Sequence, residues 1–239
     1  MDSNNEGYLV AVDMKTGQRE LVSSGDDDPL RSRCSGVNFN EPMAVVLNSD
    51  ETLAYVSTMT GIIEADLATG DRRTIFTDNL GHYDIELNPN AETAYVVAVS
   101  PFNDPSAQIL EVDLRSGSSK VISSSEVGAG RPFESLFGLE IKDANTIYVA
   151  ESSGIVQVDI ATGDRQRVTN RRIGEGISLR PGRIVLNSFE DKLFVSGNEA
   201  IYQVDLANGN RSLVSQFEES KYYEQINGIS ISRDDSRLF

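Results

Sequence analysis

Four charged side chains stand at positions where the internal repeats of this sequence elsewhere carry small or apolar residues: Asp84, Glu86, Glu140 and Arg183. A buried charge is unfavourable unless it is paired or bound to something. Two explanations are therefore open. The three carboxylates could hold Ca²⁺, which takes about six to eight oxygen ligands. Alternatively, Arg183 and water could neutralise them in a polar channel that has no function.

The only histidine, His82, lies two residues before Asp84. A histidine beside a carboxylate can act as a general base, which makes His82 the candidate catalytic residue. The alternative is a loop histidine with a satisfied hydrogen bond. One histidine and one cysteine do not make a His/Cys zinc site. The sequence also has no Gly-x-Ser-x-Gly nucleophile motif and no phosphate-binding glycine loop before a helix.

An internal repeat must position these side chains. Each copy ends a strand with Asp, follows it with a Thr-Gly, Ser-Gly or Asn-Gly pair, and then starts another strand. The Asp recurs in steps of 53, 47, 46 and 46 residues, at Asp13, Asp66, Asp113, Asp159 and Asp205. Such a period with strand-type composition is typical of a four-stranded propeller blade. We interpret the Asp as structural, either accepting turn hydrogen bonds or pairing with the arginine that often follows it (Arg72, Arg165, Arg211).

The repeats predict an all-β fold: a single β-propeller domain over 1–239 with five four-stranded blades. Four blades are continuous, and the fifth is split between the two terminal segments, whose pairing closes the ring and removes free sheet edges. The blades are predicted at 25–77, 78–124, 125–170, 171–216, and 217–239 together with 8–24. In the first strands, alternation places Val45, Ile85, Leu139, Ile184 and Ile229 in the core. The alternative fold is a fragment of a larger propeller.

Composition excludes several classes of function. The 239 residues carry a formal charge of −16 and a pI near 4.4, which argues against nucleic acid as a partner and against an anionic membrane surface. No apolar run reaches the roughly 20 residues of a membrane span, so membrane insertion is not expected. The single Cys34 cannot form an intrachain disulfide. No signal peptide is recognised at the start, and we expect a monomer.

The segments that lead into the first strands share a loose Gly-x-Gly pattern, as in Gly174-Glu175-Gly176, and Asn227-Gly228 precedes another such strand. With the repeated Asp phrase, these segments resemble the bacterial propeller repeats of the NHL, YVTN and regucalcin/gluconolactonase-like group. That resemblance covers the whole chain at the level of the repeat. It implies a propeller that serves as a metal-dependent lactonase or esterase, as a lyase, or only in binding.

In the lactonase branch of that group, the resemblance implies a metal held by a Glu in a Gly-Glu-Gly-Pro segment, an Asn in an Asn-Gly segment and an Asp. Glu175 and Asn227 match the first two, although Ile177 and Arg233 stand where the family has Pro. The order also differs, because the family's Glu lies in the first blade. Ca²⁺ is the one cofactor that the sequence suggests.

Three functions remain open. The leading one is a binding scaffold that recognises a small molecule, glycan or protein at one end of the propeller axis, with Glu41 and Arg183 lining the channel. It would work in the periplasm or outside the cell in its native full-length form. The second is a Ca²⁺-dependent hydrolase with His82 as base, in which the ion polarises an ester carbonyl and activates water. Its ligands would come from Asp84, Glu86, Glu140, Glu175 and Asn227. The third is a structural module of a larger surface protein.

Overall fold

The computed structural model describes residues 7–24, 34–89, 92–100, 107–197, 200–216 and 228–239. These ranges contain 18 β-strands and no α-helix, so none of them supplies a helix long and apolar enough to cross a membrane. The chain divides into two compact units. The first comprises Met1–Phe102 and Leu110–Lys120, and the second comprises Asn103–Ile109 and Val121–Phe239.

The first unit begins with a two-stranded antiparallel sheet of β1 (Tyr8–Val12) and β2 (Arg19–Ser24). A four-stranded sheet follows in the order β3-β4-β5-β6. The third sheet has the order β7-β8-β9-β10, and the division between the units runs through β9 and β10. Their bounds are β3 Pro42–Leu47, β4 Leu53–Thr58, β5 Gly61–Asp66, β6 Arg72–Thr77, β7 Gly81–Leu87, β8 Thr93–Val99, β9 Gln108–Asp113 and β10 Ser119–Ser123.

The second unit holds two more four-stranded antiparallel sheets, β11-β12-β13-β14 and β15-β16-β17-β18. It ends in a hairpin at 228–239, in which the Ser230 and Phe239 backbones exchange two hydrogen bonds of 2.9 Å. The bounds are β11 Leu136–Asp143, β12 Thr146–Glu151, β13 Gly154–Asp159, β14 Arg165–Thr169, β15 Ile184–Leu186, β16 Lys192–Ser196, β17 Ala200–Asp205 and β18 Arg211–Gln216. The predicted all-β, four-stranded units are confirmed.

The repeated Asp closes the turn between the third and fourth strand of each sheet. Asp159 shows the pattern: its Oδ1 accepts a hydrogen bond from the Thr162 amide at 2.8 Å, and its carbonyl accepts one from the Gly163 amide at 2.8 Å. Gly163 has φ +76°, a conformation that costs glycine little. Turn hydrogen bonds, most strongly those donated by backbone amides, lower the pKa values of Asp13, Asp66, Asp113 and Asp159. The structural interpretation of the repeated Asp is therefore confirmed.

The cores lie between successive sheets within each unit. In the second unit, Ala150 and Ile155 of one sheet pack in a buried cluster with Ile184 and Val195 of the next. In the first unit, Phe39 and Val56 belong to a smaller cluster against which Leu9 packs.

The prediction that Val45 is a core residue was wrong. Ile85, Leu139 and Ile184 are buried as expected, but Val45 is 53% exposed. Among the residues that the structure describes, the two-stranded β1–β2 sheet packs against this face of β3–β6 through Leu9, and it leaves Val45 uncovered.

A closed fifth blade is not formed among the described residues. β1 and β2 make a sheet of two strands, and residues 228–239 make a separate hairpin with an isolated bridge from Ile231 to Leu238. Residues 217–227, which the prediction assigned to this blade, lie outside the described part of the chain.

Candidate functional site

Three buried arginines, Arg72, Arg165 and Arg211, begin the fourth strands β6, β14 and β18, and we call their contacts the arginine clamps. Arg165 donates through Nη1 to the Ser123 hydroxyl and to the Val127 carbonyl, both at 2.7 Å. Its Nε donates to the Arg131 carbonyl at 3.1 Å. Each clamp thereby fastens the end of the preceding sheet and the connector that follows it. Arg72 and Arg211 repeat the hydroxyl contact with Ser23 and Thr169.

The Gly-Glu-Gly segment that suggested a metal-binding Glu175 is one of these connectors. The Glu175 amide donates to Asn210 Oδ1 at 2.7 Å, and its carbonyl accepts from the Arg211 amide at 2.8 Å. Its side chain is exposed. Ala129 occupies the same place in the preceding connector, where it makes the same two backbone contacts. The contacts that repeat at this position are therefore made by the backbone rather than by a carboxylate.

Glu140 and Arg183 link the first strands of two neighbouring sheets in the second unit. Glu140 Oε1 accepts a hydrogen bond from the Leu186 amide at 3.1 Å, which ties β11 to β15. Arg183, the residue before β15, donates through Nη1 to the carbonyl of Phe137 in β11 at 2.7 Å. Both charges therefore interact with backbone groups, which supplies a structural reason for their presence.

Two more of the predicted metal ligands lie on a strand of the first unit. Asp84 is buried and Glu86 is half-buried on β7 in the first unit, where both have interaction partners. Asn227 lies outside the described residues. Within the described residues, no three His, Cys, Asp or Glu side chains form a group that could hold a metal ion. Glu41, predicted to line a channel, is exposed just before β3.

His82 lies inside β7 rather than in a loop, and its side chain is fully buried. Its Nδ1 is 3.3 Å from the Thr58 carbonyl, and Phe76 meets the ring edge-on. The Nε2 atom is 3.2 Å from Asp78 Oδ1, yet the direction of this contact is not that of a hydrogen bond. A histidine without exposed surface does not reach a substrate from this position. The Thr58 contact fits the structural alternative.

A buried ion pair in the second unit was not predicted. Glu151, at the end of β12, is fully buried, and its Oε1 accepts a 2.9 Å hydrogen bond from Arg167 Nε. Arg167 Nη2 is 2.8 Å from the same oxygen, although that second contact is poorly directed. Ser153 Oγ also donates to Oε1, while Oε2 accepts from the Glu134 amide at 3.2 Å. The pair therefore fixes the loop that precedes β11.

The loop fixed in this way presents a polar rim, which we define as Arg131, Glu134 and Ser152. Glu134 Oε1 is 3.3 Å from Arg131 Nη2, and Oε2 accepts from Ser152 Oγ at 2.9 Å. The Arg131 side chain is 66% exposed and the Glu134 side chain 32%. The rim thus offers a cation, a carboxylate and a hydroxyl to solvent over a buried, charged support.

The sequence contained a signal for this pair. Glu151 occupies the position of Thr58 in the β3–β6 sheet, because Glu151 lies opposite Gly154 as Thr58 lies opposite Gly61. Arg167 occupies the position of Thr74, because Arg167 lies opposite Val156 as Thr74 lies opposite Ile63. Two charges therefore replace two threonines at matching repeat positions. Aligning second and fourth strands, rather than first strands alone, would have found them.

The first unit contains an apolar cleft of about 190 Å³ beside β1 and β3. Its lining has few polar atoms and includes the exposed Val45. The lining residues are Tyr8, Leu9, Phe39, Pro42, Met43, Ala44, Val45 and Val56.

No protein-family model matches this chain, and no curated protein matches it. Solved structures do. TolB from Acinetobacter baumannii aligns with a TM-score of 0.64 and 16% identity over 97% of this chain and 53% of that chain. A TolB-like protein of Agrobacterium tumefaciens aligns with a TM-score of 0.68 and 11% identity over 98% and 76%.

The fold is that of a β-propeller. A third similar structure is the extracellular domain of a one-component system from B. thetaiotaomicron, with a TM-score of 0.60 and 11% identity over 98% of this chain and 31% of that chain. The chain spans about half the length of the first of these propellers. At such identities the likeness shows the fold alone. The resemblance to the NHL and gluconolactonase group is not confirmed by any of these matches.

Proposed function

We propose that this chain is a β-propeller binding scaffold that recognises its ligand at the polar rim of the second unit. The observation that carries the proposal is the buried Glu151–Arg167 pair, which holds the Glu134 backbone in place. Buried charges that are paired and hydrogen-bonded fix their surroundings, and recognition sites in repeat folds lie on loops held by such a rigid support.

Of the three ligand classes predicted from the sequence, a glycan fits the rim best. Sugar hydroxyls can donate to Glu134 and accept from Arg131, and the exposed Ser152 can do both. The rim has no exposed aromatic or aliphatic anchor of the kind that dominates protein interfaces. A protein ligand or a small molecule is a different outcome of the same test.

The test is a glycan array probed with the labelled chain, followed by affinity measurement on the best glycan. We expect Arg131→Ala to bind about tenfold more weakly, a loss of about 1.4 kcal/mol. Arg171→Ala is the matched control, because Arg171 is an exposed arginine of the same unit outside the rim. An equal loss in both variants, or no glycan bound at all, would contradict the glycan proposal. If the chain instead captures a protein or a small molecule, and this binding is weakened by Arg131→Ala, the rim remains the proposed binding site but its ligand is not a glycan.

The alternative function is a Ca²⁺-dependent ester or lactone hydrolase. The observation that supports this alternative is the buried carboxylate of Asp84, with Glu86 two residues further along β7. Thermal unfolding in EDTA, then with Ca²⁺ added at about a hundred times the dissociation constant, should show a stabilisation of about 2.7 kcal/mol if this site binds. Asp84→Asn should abolish that shift. An unchanged melting temperature would remove the hydrolase from consideration and leave the scaffold or a structural module.

We further propose that residues 8–24 and 217–239 are the two halves of one composite blade, the alternative being a larger propeller with additional blades. An extracellular or periplasmic location is proposed for the native protein. It is supported by the similarity to an extracellular domain and by the acidic composition. Fractionation of cells expressing the native protein would test the location, and recovery in the cytoplasm would contradict it.

A further inference from the structure

Charged side chains depart from the repeat at one place in the second unit. Each clamp arginine donates through Nε to one connector carbonyl, that of Val37, Arg131 or Ile177, so these three residues occupy the same position. Only Arg131 is charged there. Glu151 and Arg167, which support the rim, also replace two threonines of the β3–β6 sheet. These charges therefore belong to the rim and its support rather than to the propeller repeat.

The guanidinium of Arg131 is largely unused. Its side chain is 66% exposed, and its Nη2 is 3.3 Å from Glu134 Oε1. Charge-assisted contacts between a guanidinium and a carboxylate are usually shorter, about 2.7–2.9 Å. In the described part of the chain, no other polar group contacts the Arg131 side chain. A guanidinium is a planar fork of N–H donors that matches the two oxygens of a carboxylate, and most of this fork is open.

The backbone of the rim is held from both ends by one strand, β14. Arg165 donates through Nε to the Arg131 carbonyl at 3.1 Å, and its guanidinium lies 5.3 Å from the centre of the Phe133 ring. Arg167, two residues further along β14, holds the Glu134 amide through Glu151. A ligand that binds this loop therefore has little backbone left to order, which favours affinity.

Glu134 lies where the carboxylate of an acidic ligand would bind Arg131. Its Oε2 accepts from Ser152 Oγ at 2.9 Å, and its side chain is 32% exposed. An ion pair in contact with solvent contributes little to stability. A ligand carboxylate that meets two nitrogens of the fork forms a stronger contact, so it can replace Glu134 beside Arg131.

We propose that the rim binds glycans that contain uronic acids, and that the sugar carboxylate pairs with the guanidinium of Arg131 in place of Glu134. This inference rests on the glycan function proposed above and names the class of sugar. In this arrangement Arg131 recognises the carboxylate, while Glu134 and Ser152 bind the sugar hydroxyls.

The charge of −16 on the whole chain does not prevent this contact. At 0.1 M salt, exposed charges more than about 10 Å apart are largely screened from each other. The groups at the rim therefore decide the binding. Among them, the buried Arg165 is a second fixed cation, whose guanidinium donates to backbone carbonyls and to the Ser123 hydroxyl rather than to a carboxylate.

The first test compares acidic sugars with their neutral esters. The probes are oligomers of glucuronate, mannuronate and galacturonate, each beside its methyl ester, because acid and ester differ in the charged carboxylate. We expect the parent chain to bind one of the acids at least tenfold more tightly than the ester of that acid. Arg131→Lys keeps the charge but removes the fork, and it should weaken binding of the acid about tenfold. Arg171→Lys is the matched control, since Arg171 is exposed outside the rim.

The second test uses Glu134→Gln, which should change affinity in the opposite direction. The competing carboxylate is removed, while the backbone amide of residue 134 still donates to Glu151. We expect affinity for the acid to rise at least threefold, whereas a neutral sugar would lose a charged acceptor and bind more weakly. Glu126→Gln removes an exposed carboxylate from the same connector outside the rim and measures the effect of overall charge. A gain no larger than that of Glu126→Gln would overturn the inference.

The outcomes separate this inference from the glycan function itself. Esters or neutral glycans that bind as tightly as the acids, with a loss in Arg131→Ala, would overturn the uronic acid inference and keep the glycan function. Absence of binding to acidic and neutral glycans alike would overturn both. Equal losses in Arg131→Lys and Arg171→Lys would also overturn the inference, provided that far-UV circular dichroism of both variants matches that of the parent chain.

Discussion

The buried pair of Glu151 and Arg167 gives the polar rim its support, and removing one partner should show this. In Arg167→Met the Glu151 carboxylate stays buried without its ion-pair partner, which we expect to destabilise the chain by about 3–5 kcal/mol. Urea unfolding followed by circular dichroism measures the loss. A loss below about 1 kcal/mol would mean that the carboxylate is solvated or protonated at little cost.

The matched control removes both charges. The double variant Glu151→Thr/Arg167→Thr copies Thr58 and Thr74, which stand at the corresponding positions of the β3–β6 sheet. It should recover most of the stability lost in Arg167→Met, because no charge is then left unpaired. It should also loosen the Glu134 loop and lower affinity at the rim, since the Glu151 contact to the Glu134 amide is gone.

Individual side chains were the hardest feature to predict from the sequence. Asp84, Glu140 and Arg183 were correctly recognised as unusual charges among repeats. The sequence could not show that Glu140 and Arg183 meet backbone groups of a neighbouring strand, because that contact depends on how two sheets pack. The alternative that placed His82 in a loop was wrong, because β7 begins at Gly81 and the strand register shifts only after His82.

At the scale of elements, the sequence predicted far more. Each strand, hairpin and Asp-Gly turn follows from local rules, namely alternation, β-branched residues and glycine at positive φ. The arginine clamps were missed because their partners are backbone carbonyls about 35 residues away. One signal was nevertheless present in the sequence. Arg72, Arg165 and Arg211 occur in sheets that a long connector precedes, whereas the β7–β10 sheet follows the short connector 78–80 and carries Ser119 at the arginine position.

The turn glycines allow backbone strain to be separated from crowding. Gly17 and Gly163 share the same turn position and nearly the same φ, +70° and +76°. A Cβ at Gly17 meets nothing within 4 Å, whereas one at Gly163 would lie 2.4 Å from the Ile122 carbonyl. Gly17→Ala should cost about 1–2 kcal/mol for the left-handed conformation alone. Gly163→Ala should cost clearly more, because the hairpin must also move away from the preceding sheet.

Thermal unfolding of Gly17→Ala, Gly163→Ala and the parent chain measures the stability that each substitution costs. Equal losses would show that the close approach at Gly163 is relieved by a small shift, and that φ alone sets the requirement for glycine.

For the whole molecule, the dominant physical property is the charge of −16 on 239 residues. Like charges at this density repel one another in the folded state, and salt screens them over about 10 Å at 0.1 M. Raising NaCl from about 0.02 to 0.5 M should therefore raise the melting temperature, with EDTA present to exclude divalent ions. A flat or falling melting temperature would indicate that the acidic side chains are already neutralised by local pairing.

The arginine clamps also bear on the synthesis of the chain. Arg165 follows Ser123, the hydroxyl that it fastens, by 42 residues. At about 5–20 residues per second, a ribosome completes one sheet roughly 2–8 s before it adds the side chain that secures it. The β1–β2, β7–β10 and β11–β14 sheets are therefore secured only after the fourth strand of the next sheet has begun to be synthesised. Nascent chains halted before and after residue 165 should differ in protease resistance around Ser123. Equal resistance would show that a sheet holds without its clamp.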